Sequence, residues 1–378
     1  MSVLDLLRPD LHGRTPYGAP QLNVPVQLNT NENAYPVPEA VVRDIVADLA
    51  GVAAGLNRYP DRDATDLRAD LAAYLRAGSD VDVQTPQVWA GNGSNEVLLH
   101  LVQAFGGSGR RALGFTPSYS MHPIISRTAG TTWIDGRRGD GGDGRDGGTD
   151  PFTLSAGQAV EQIRRHDPHL VFLCSPNNPT GTALDLSVVE AVHDGSGHAV
   201  VIVDEAYAEF ARAGTPSALE LLAGRDRLVV TRTMSKAFAL AGARLGYLAG
   251  SADLVDALRL VRLPYHLSTP TQVVARAALR HADLMLGTVE AIKSQRDRMV
   301  TELTAMGLRT VPSDANFVLF GGLADEGATW RALLEAGVLV RDVGLRHHLR
   351  VTAGTPQETT RFLQAVRDLV DTHLQERA

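Results

Sequence analysis

Lys236 and Lys293 are the only lysines in a chain with 36 Lys and Arg residues, and every other one of these is arginine. Arginine stays protonated in a protein, whereas a lysine amine can be tuned towards neutrality and can form a Schiff base. A lysine kept where arginine supplies all other positive charge marks a position that needs a primary amine. Lys293 lies in Glu290-Ala291-Ile292-Lys293-Ser294-Gln295-Arg296-Asp297, the pattern of a charged, solvated helix face. Lys236 instead follows the apolar run Leu228–Thr231, within Thr233-Met234-Ser235-Lys236-Ala237-Phe238, and is the candidate catalytic amine.

Other polar groups also stand where apolar runs end. Leu170-Val171-Phe172-Leu173-Cys174 leads into Ser175-Pro176-Asn177-Asn178-Pro179-Thr180-Gly181, and Ala199–Val203 leads into Asp204-Glu205-Ala206-Tyr207. In parallel α/β sheets ligands bind at that edge. Gly91-Asn92-Gly93-Ser94-Asn95-Glu96 precedes the apolar helical run Val97–Phe105, and a helix start offers free N–H groups to a phosphate. Each segment alone also reads as a turn, a satisfied carboxylate or a helix cap. Their order and spacing together point to one site. His122, His266 and the pair His347-His348 form no metal-ligand pattern.

The elements that must position these groups follow from hydrophobic periodicity. Short apolar runs at 87–90, 112–115, 131–134, 170–174, 199–203, 228–231 and 245–249 alternate with helical patterns, which predicts an α/β fold with a largely parallel sheet. A helix is expected from Pro38, with Val41, Val42, Ile45, Val46 and Leu49 on one face and Gly51 as a stop, and another over Asp66–Leu75. Beyond Pro270 the pattern is mostly helical, with strand-like pieces at 316–320, 338–340 and 349–352, as in a smaller α+β domain. The expected division is 1–50 for an extended arm and the first part of the smaller domain, 51–268 for the large domain, and 269–378 for the small C-terminal domain. Gly136–Gly148 is rich in Gly, Asp and Arg, and Gly141–Asp146 within it formally matches the start of a calcium-binding nonapeptide, but a stacked repeat cannot exist in one copy. A flexible surface loop away from the site is expected there.

Bulk properties exclude several classes. The net charge of −7 argues against a nucleic-acid partner. The single cysteine, Cys174, permits no internal disulfide and fits a reducing compartment. Met1–Asp10 lacks a cationic, apolar leader, and no apolar run approaches the roughly 18 residues that span a bilayer. The expectation is a cytoplasmic protein without a membrane segment.

The segments Ser175–Gly181, Asp204–Tyr207 and Ser235–Phe238 resemble those of class I/II aminotransferases, among the fold-type I pyridoxal-phosphate enzymes. The arm Asn31-Glu32-Asn33-Ala34-Tyr35-Pro36 and Leu263-Pro264-Tyr265-His266-Leu267-Ser268 are similar to the histidinol-phosphate branch of that group. The resemblance spans nearly the whole chain. It implies a large domain with a mostly parallel seven-stranded sheet, a smaller α+β domain and pyridoxal 5'-phosphate as cofactor. It further implies that Lys236 carries the cofactor and shuttles a proton, that Asp204 pairs with the pyridine nitrogen, and that Tyr207 and Asn178 hold the phenolic oxygen. Tyr119 would stack on the ring, and Ser94, Asn95, Thr233, Ser235 and Arg244 would hold the phosphate. Tyr59 would reach that phosphate from a second subunit of a homodimer.

On the substrate side, the resemblance assigns Arg341 and Arg350 to the anion, has Tyr35 close over the substrate together with Asn178, and puts Tyr265 in the same pocket. A planar guanidinium accepts a phosphate or a carboxylate, as a two-substrate transfer between histidinol phosphate and glutamate/2-oxoglutarate needs. The rivals are an aromatic amino acid aminotransferase, a threonine-phosphate decarboxylase on the same fold, and a non-catalytic effector-binding module. For that last reading residues 1–40 are too short to add a DNA-binding domain.

Overall fold

The computed structural model describes residues 2–79, 81–139 and 151–375. Its strands are β1 (Val26–Gln27), β2 (Val88–Gly91), β3 (Arg111–Thr116), β4 (Thr132–Arg137), β5 (Leu170–Cys174), β6 (Val200–Asp204), β7 (Leu228–Thr233), β8 (Gly246–Ala249), β9 (Arg309–Thr310), β10 (Phe317–Gly321), β11 (Val338–Leu339) and β12 (His348–Thr352). Seven of them form one sheet in the order β2-β8-β7-β6-β5-β3-β4. Only β8 runs against the others, pairing antiparallel with both β2 and β7.

The central strands β5 and β6 are buried at every position. Unbroken apolar runs such as Val200-Val201-Ile202-Val203 arise because helices cover both faces of the sheet. Alternate side chains feed two cores: Leu113, Val171, Leu173, Val201 and Val203 on one face, and Ala112, Leu170, Phe172, Val200 and Ile202 on the other. Each large side chain removed from water there contributes roughly 1.5–3 kcal/mol.

A second, antiparallel sheet has the order β12-β10-β9 and its own core, including Met299, Leu303, Val318, Phe320, Val351 and Phe362. The N-terminal arm is stitched to this part of the molecule. β1 pairs with β11, Leu28 N–H donates to Leu339 O at 2.8 Å, and Thr352 N–H donates to Leu28 O at 2.9 Å. Residues 29–33 thereby leave the smaller sheet directly above the end of the larger one.

The expected strands are present within two residues at either end, except that β4 runs three residues past the expected end at 134. Two-residue strands carry no periodicity, which is why β1 and β9 were not foreseen. The helix Glu39–Ala53 corrects one expectation, since it runs through Gly51 to Ala53; Val41 is fully buried, but Val42 and Val46 are 41% and 59% exposed, so its apolar face is only partly covered by this chain. The expected loop at 136–148 also changes. Gly136 and Arg137 belong to β4, and Arg138 is buried, donating to Phe115 O and Asn177 Oδ1. Positions 140–148 of that expectation lie outside the described residues.

Candidate active site

A cleft of about 430 Å3 opens where β5, β6 and β7 end and the helix Ser94–Phe105 begins. Two glycines make the helix start approachable. Gly93 precedes the helix at φ +79°, and a Cβ there would stand 2.5 Å from Arg244 Nη2. Gly246 pairs with Gly91 across β8 and β2, and its Cβ would overlap the main chain of Ser94. The first-turn N–H groups of Ser94 and Asn95 have no intrahelical acceptor and face an arginine and two hydroxyls, a ready anion cup. The hydroxyls are preset: Thr233 Oγ1 donates to Ser235 Oγ at 3.0 Å and accepts from Ser235 N–H at 3.2 Å.

Asp204 ends β6 with 1% of its surface exposed. His122 Nε2 lies 3.0 Å from its Oδ2, and Thr231 Oγ1 donates to its Oδ1 at 3.1 Å. Parallel pairing of β6 with β7 sets Asp204 opposite Thr231, five residues before Lys236. Lys236 is half-buried and donates from Nζ to Thr30 O at 3.0 Å. Burial, aided by the Arg350 and Arg244 charges and opposed by Glu32, brings its amine down to about 8.

Tyr207 OH accepts hydrogen bonds from Asn31 Nδ2 at 3.0 Å and Asn178 Nδ2 at 3.3 Å. Burial pushes this phenol up to about 12. Tyr119 OH donates to Asn95 Oδ1 at 3.4 Å, and burial raises its phenol as well.

Across the cleft, Arg350 donates from Nη1 to Asn178 Oδ1 at 2.6 Å and from Nη2 to Asn29 O at 2.8 Å, and its Nε is buried without a partner. Its guanidinium carbon lies 5.1 Å from the centre of the Phe317 ring. An antiparallel bridge joins Arg341 to Arg350, which sets two guanidinium groups at one end of the cleft.

Ser94, Asn95, Tyr119, Asn178, Asp204, Tyr207, Thr233, Ser235, Lys236, Arg244, Arg341 and Arg350 thus line a single cavity. Tyr35, Tyr59 and Tyr265 are not among its lining residues. Tyr35 packs against the main core. Tyr59 is 79% exposed and stacks on Tyr265 with ring centres 4.4 Å apart and 12° between planes. Tyr265, expected in the same pocket, is held outside it because its turn, at φ +60°, places the ring against Tyr59.

Sequence reasoning missed Tyr17, Thr30, Glu32 and His122. Tyr17 and Glu32 line the cleft, and Arg341 lies 5.9 Å from the Tyr17 ring centre. Tyr17 sits in an aperiodic segment that offered no signal. His122 follows Tyr119 by three residues, a helical spacing that could have drawn it in.

Pyridoxal phosphate fits these groups. The glycine-flanked helix start with Arg244 suits its phosphate, buried Asp204 its ring nitrogen, the depressed amine of Lys236 its carbonyl carbon, and Tyr207 with Asn178 its phenolic oxygen. Among the described residues no cluster of three or more His, Cys, Asp or Glu could hold a metal, and no helix is long and apolar enough to cross a membrane.

The family Aminotransferase class I and II matches residues 24–366, and the chain belongs to that family. It is a pyridoxal-phosphate-dependent transaminase of the α/β type. The histidinol-phosphate aminotransferase of Frankia casuarinae is 60% identical over 95% of this chain and 89% of its own length. That of Thermobifida fusca is 54% identical over 97% and 96%. The structure of histidinol-phosphate aminotransferase from Sinorhizobium meliloti in complex with pyridoxal-5'-phosphate shares the fold, with TM-score 0.79, 22% identity and 92% of both chains covered.

Proposed function

We propose that this enzyme interconverts histidinol phosphate and 2-oxoglutarate with imidazole acetol phosphate and glutamate. The observation that carries the reading is the Arg341–Arg350 pair at the mouth of the cofactor cleft, in a chain whose relatives of that name match it almost end to end. Planar guanidinium groups bind the phosphate of one substrate and the carboxylate of the other with the same fork. The unpartnered Nε of Arg350 leaves one donor free for that purpose.

When bound, the cofactor supplies an electron sink for the bonds of the amino-bearing carbon. The chain supplies the rest. Lys236 would hold the cofactor and, once displaced by the substrate, its amine would take the proton from that carbon as a general base. Asp204, oriented by His122 and Thr231, would pair with the ring nitrogen and keep it protonated. Tyr207 and Asn178 would hold the phenolic oxygen, and Tyr119 would stack on the ring. Ser94, Asn95, Thr233, Ser235 and Arg244 would bind the phosphate, and Tyr35, packed against the main core here, would have to turn towards the cleft to close over the substrate.

A homodimer is part of this reading. Tyr59 and Tyr265 form an exposed stacked pair beside Leu260 and Leu263, which are 87% and 75% exposed. A second copy covering this patch would receive Tyr59 at its phosphate cup and Tyr265 beside its substrate. We assign residues 51–268 to the cofactor-binding domain, and 269–378 with the arm 1–50 to the smaller one; the separate core behind β9, β10 and β12 supports this for Val26, Leu28 and much of the chain from Met299 on, whereas Val41, Ala275 and Ile292 pack into the main core. We place the enzyme in the cytoplasm, in keeping with its single buried cysteine.

The test is a spectral titration of the cofactor-loaded protein with histidinol phosphate, phenylalanine and threonine phosphate in separate cells. Loss of the long-wavelength band with histidinol phosphate at the lowest concentration supports the proposal. Preferential loss with phenylalanine, or carbon dioxide release from threonine phosphate, rejects it.

A further inference from the structure

The side chains of β6 and β7 alternate, and only one set faces the cleft. Thr231 and Thr233 point to the cofactor side, where they touch Asp204 and Ser235, and Arg232 between them points to the opposite face. Glu205, one residue past Asp204, points the same way as Arg232. There Arg232 donates to Glu205 Oε2 from Nε at 3.1 Å and from Nη2 at 2.8 Å, and Nη2 also reaches Ser217 Oγ at 3.0 Å. Nη1 lies 3.5 Å from Glu209 Oε1. The other Glu205 oxygen accepts from Ala218 N–H at 2.6 Å. Arg232, Glu205 and Glu209 side chains are only 12%, 4% and 8% exposed.

A buried ion network of this kind is a poor source of stability, because desolvation consumes most of its Coulomb gain. Its consequence is geometric. We infer that Arg232 is a positioning residue: through Glu205 it ties the ends of β6 and β7 together from behind, and so fixes the separation between Asp204 and the Thr233–Lys236 segment. Those two points must address the ring nitrogen and the carbonyl carbon of one rigid cofactor. A misplacement of about 1 Å at such a site costs about 10²-fold in rate. The main-chain bond from Glu205 N–H to Thr231 O, 2.9 Å, is the last backbone tie between the strands before they diverge, so the side-chain pair is what continues the register. A cavity of about 870 Å3 adjoins the network, lined by Tyr74, Glu205, Glu209, Ser217 and Arg232 among others, so tight apolar packing does not hold these side chains in place.

The inference rests on the cofactor assignment and not on the choice of substrate, because its test uses no amino substrate. The variants are Arg232→Lys, which keeps the charge and loses the fork, and the double variant Arg232→Met with Glu205→Gln, which leaves no unpaired charge from that pair. Pyridoxal phosphate affinity is read by fluorescence quenching, the pH midpoint of the bound cofactor's absorption by spectral titration, and folding by thermal melting. The expected result is weaker cofactor binding, by about tenfold as for other supporting contacts, and a midpoint moved to higher pH. A ring nitrogen less firmly held in its protonated state withdraws less charge from the lysine nitrogen. Unchanged affinity and midpoint in a folded variant overturn the inference, whatever the melting temperature does. If the double variant does not fold, the same readings on Arg232→Lys decide.

Discussion

Lys236 Nζ and the main-chain oxygen of Thr30 are hydrogen-bonded at 3.0 Å although 206 residues separate them. The amine of the larger sheet therefore rests on the N-terminal arm. The arm is held by the smaller sheet, since Asn31 N–H donates to Thr352 Oγ1 at 3.0 Å and Asn316 Nδ2 donates to Asn31 O at 3.1 Å. Asn31 itself adopts φ +56°, a left-handed conformation that an asparagine tolerates better than most residues. The site is assembled between two sheets, and its central amine, just past the end of β7, meets the arm that the smaller sheet holds.

The depressed amine of Lys236 has a measurable pH signature. Capture of pyridoxal phosphate by the cofactor-free protein should rise through a midpoint near pH 8, the amine's value of about 8, and not near the ordinary lysine value of about 10.4. Burial lowers the native pKa, so between these two values the unfolded chain binds more protons than the native one. The stability of the cofactor-free protein should therefore rise with pH across that window. Lys236→Met should abolish both the capture and this increment. Stopped-flow absorbance and denaturant titrations between pH 7 and 10.5 check it.

Arg350 donates to Asn178 and Asn29 while sitting over Phe317. Arg350→Lys retains a charge but cannot hold these contacts and a substrate anion at once. Charge-assisted bonds contribute about 1.5–3 kcal/mol each, so KM should rise roughly 10–100-fold for both histidinol phosphate and glutamate, with little loss of bound cofactor. Steady-state kinetics of each half of the reaction test this, and a selective effect on one substrate would contradict the shared anion site.

Gly246→Ala should cost the enzyme its cofactor. The added Cβ overlaps the main chain of Ser94, so the helix start must move away from Arg244 and the two hydroxyls. Gly157→Ala, where a Cβ meets nothing within 4 Å, is the control and should bind normally. Equilibrium dialysis of pyridoxal phosphate against the two variants separates them.

If Tyr59 completes the site of a second copy, Tyr59→Ala and Lys236→Ala should complement each other. Each variant alone should turn over poorly or not at all. Dissociating and reassociating the mixture should restore activity, because a hybrid dimer holds one site with both residues intact. Mixtures that remain as inactive as their parents would place Tyr59 outside the active site.

Residue chemistry and local periodicity were enough to nominate Lys236, Asp204, Tyr207 and the glycine-flanked helix start, because each needs only its neighbours in the chain to stand at the end of an apolar run. The α/β class and the positions of β5 and β6 followed from the same local signal. Tertiary structure alone decided the insertion of the antiparallel β8 between β2 and β7, which puts Gly246 under Ser94 and Arg244 beside Gly93. It also decided that Arg350 meets Asn178 across 172 residues, that Tyr265 turns outward onto Tyr59, and that Thr30 and His122 reach Lys236 and Asp204. Strand order, register and the path of an aperiodic arm are settled by how whole surfaces pack. No short stretch of sequence records that competition.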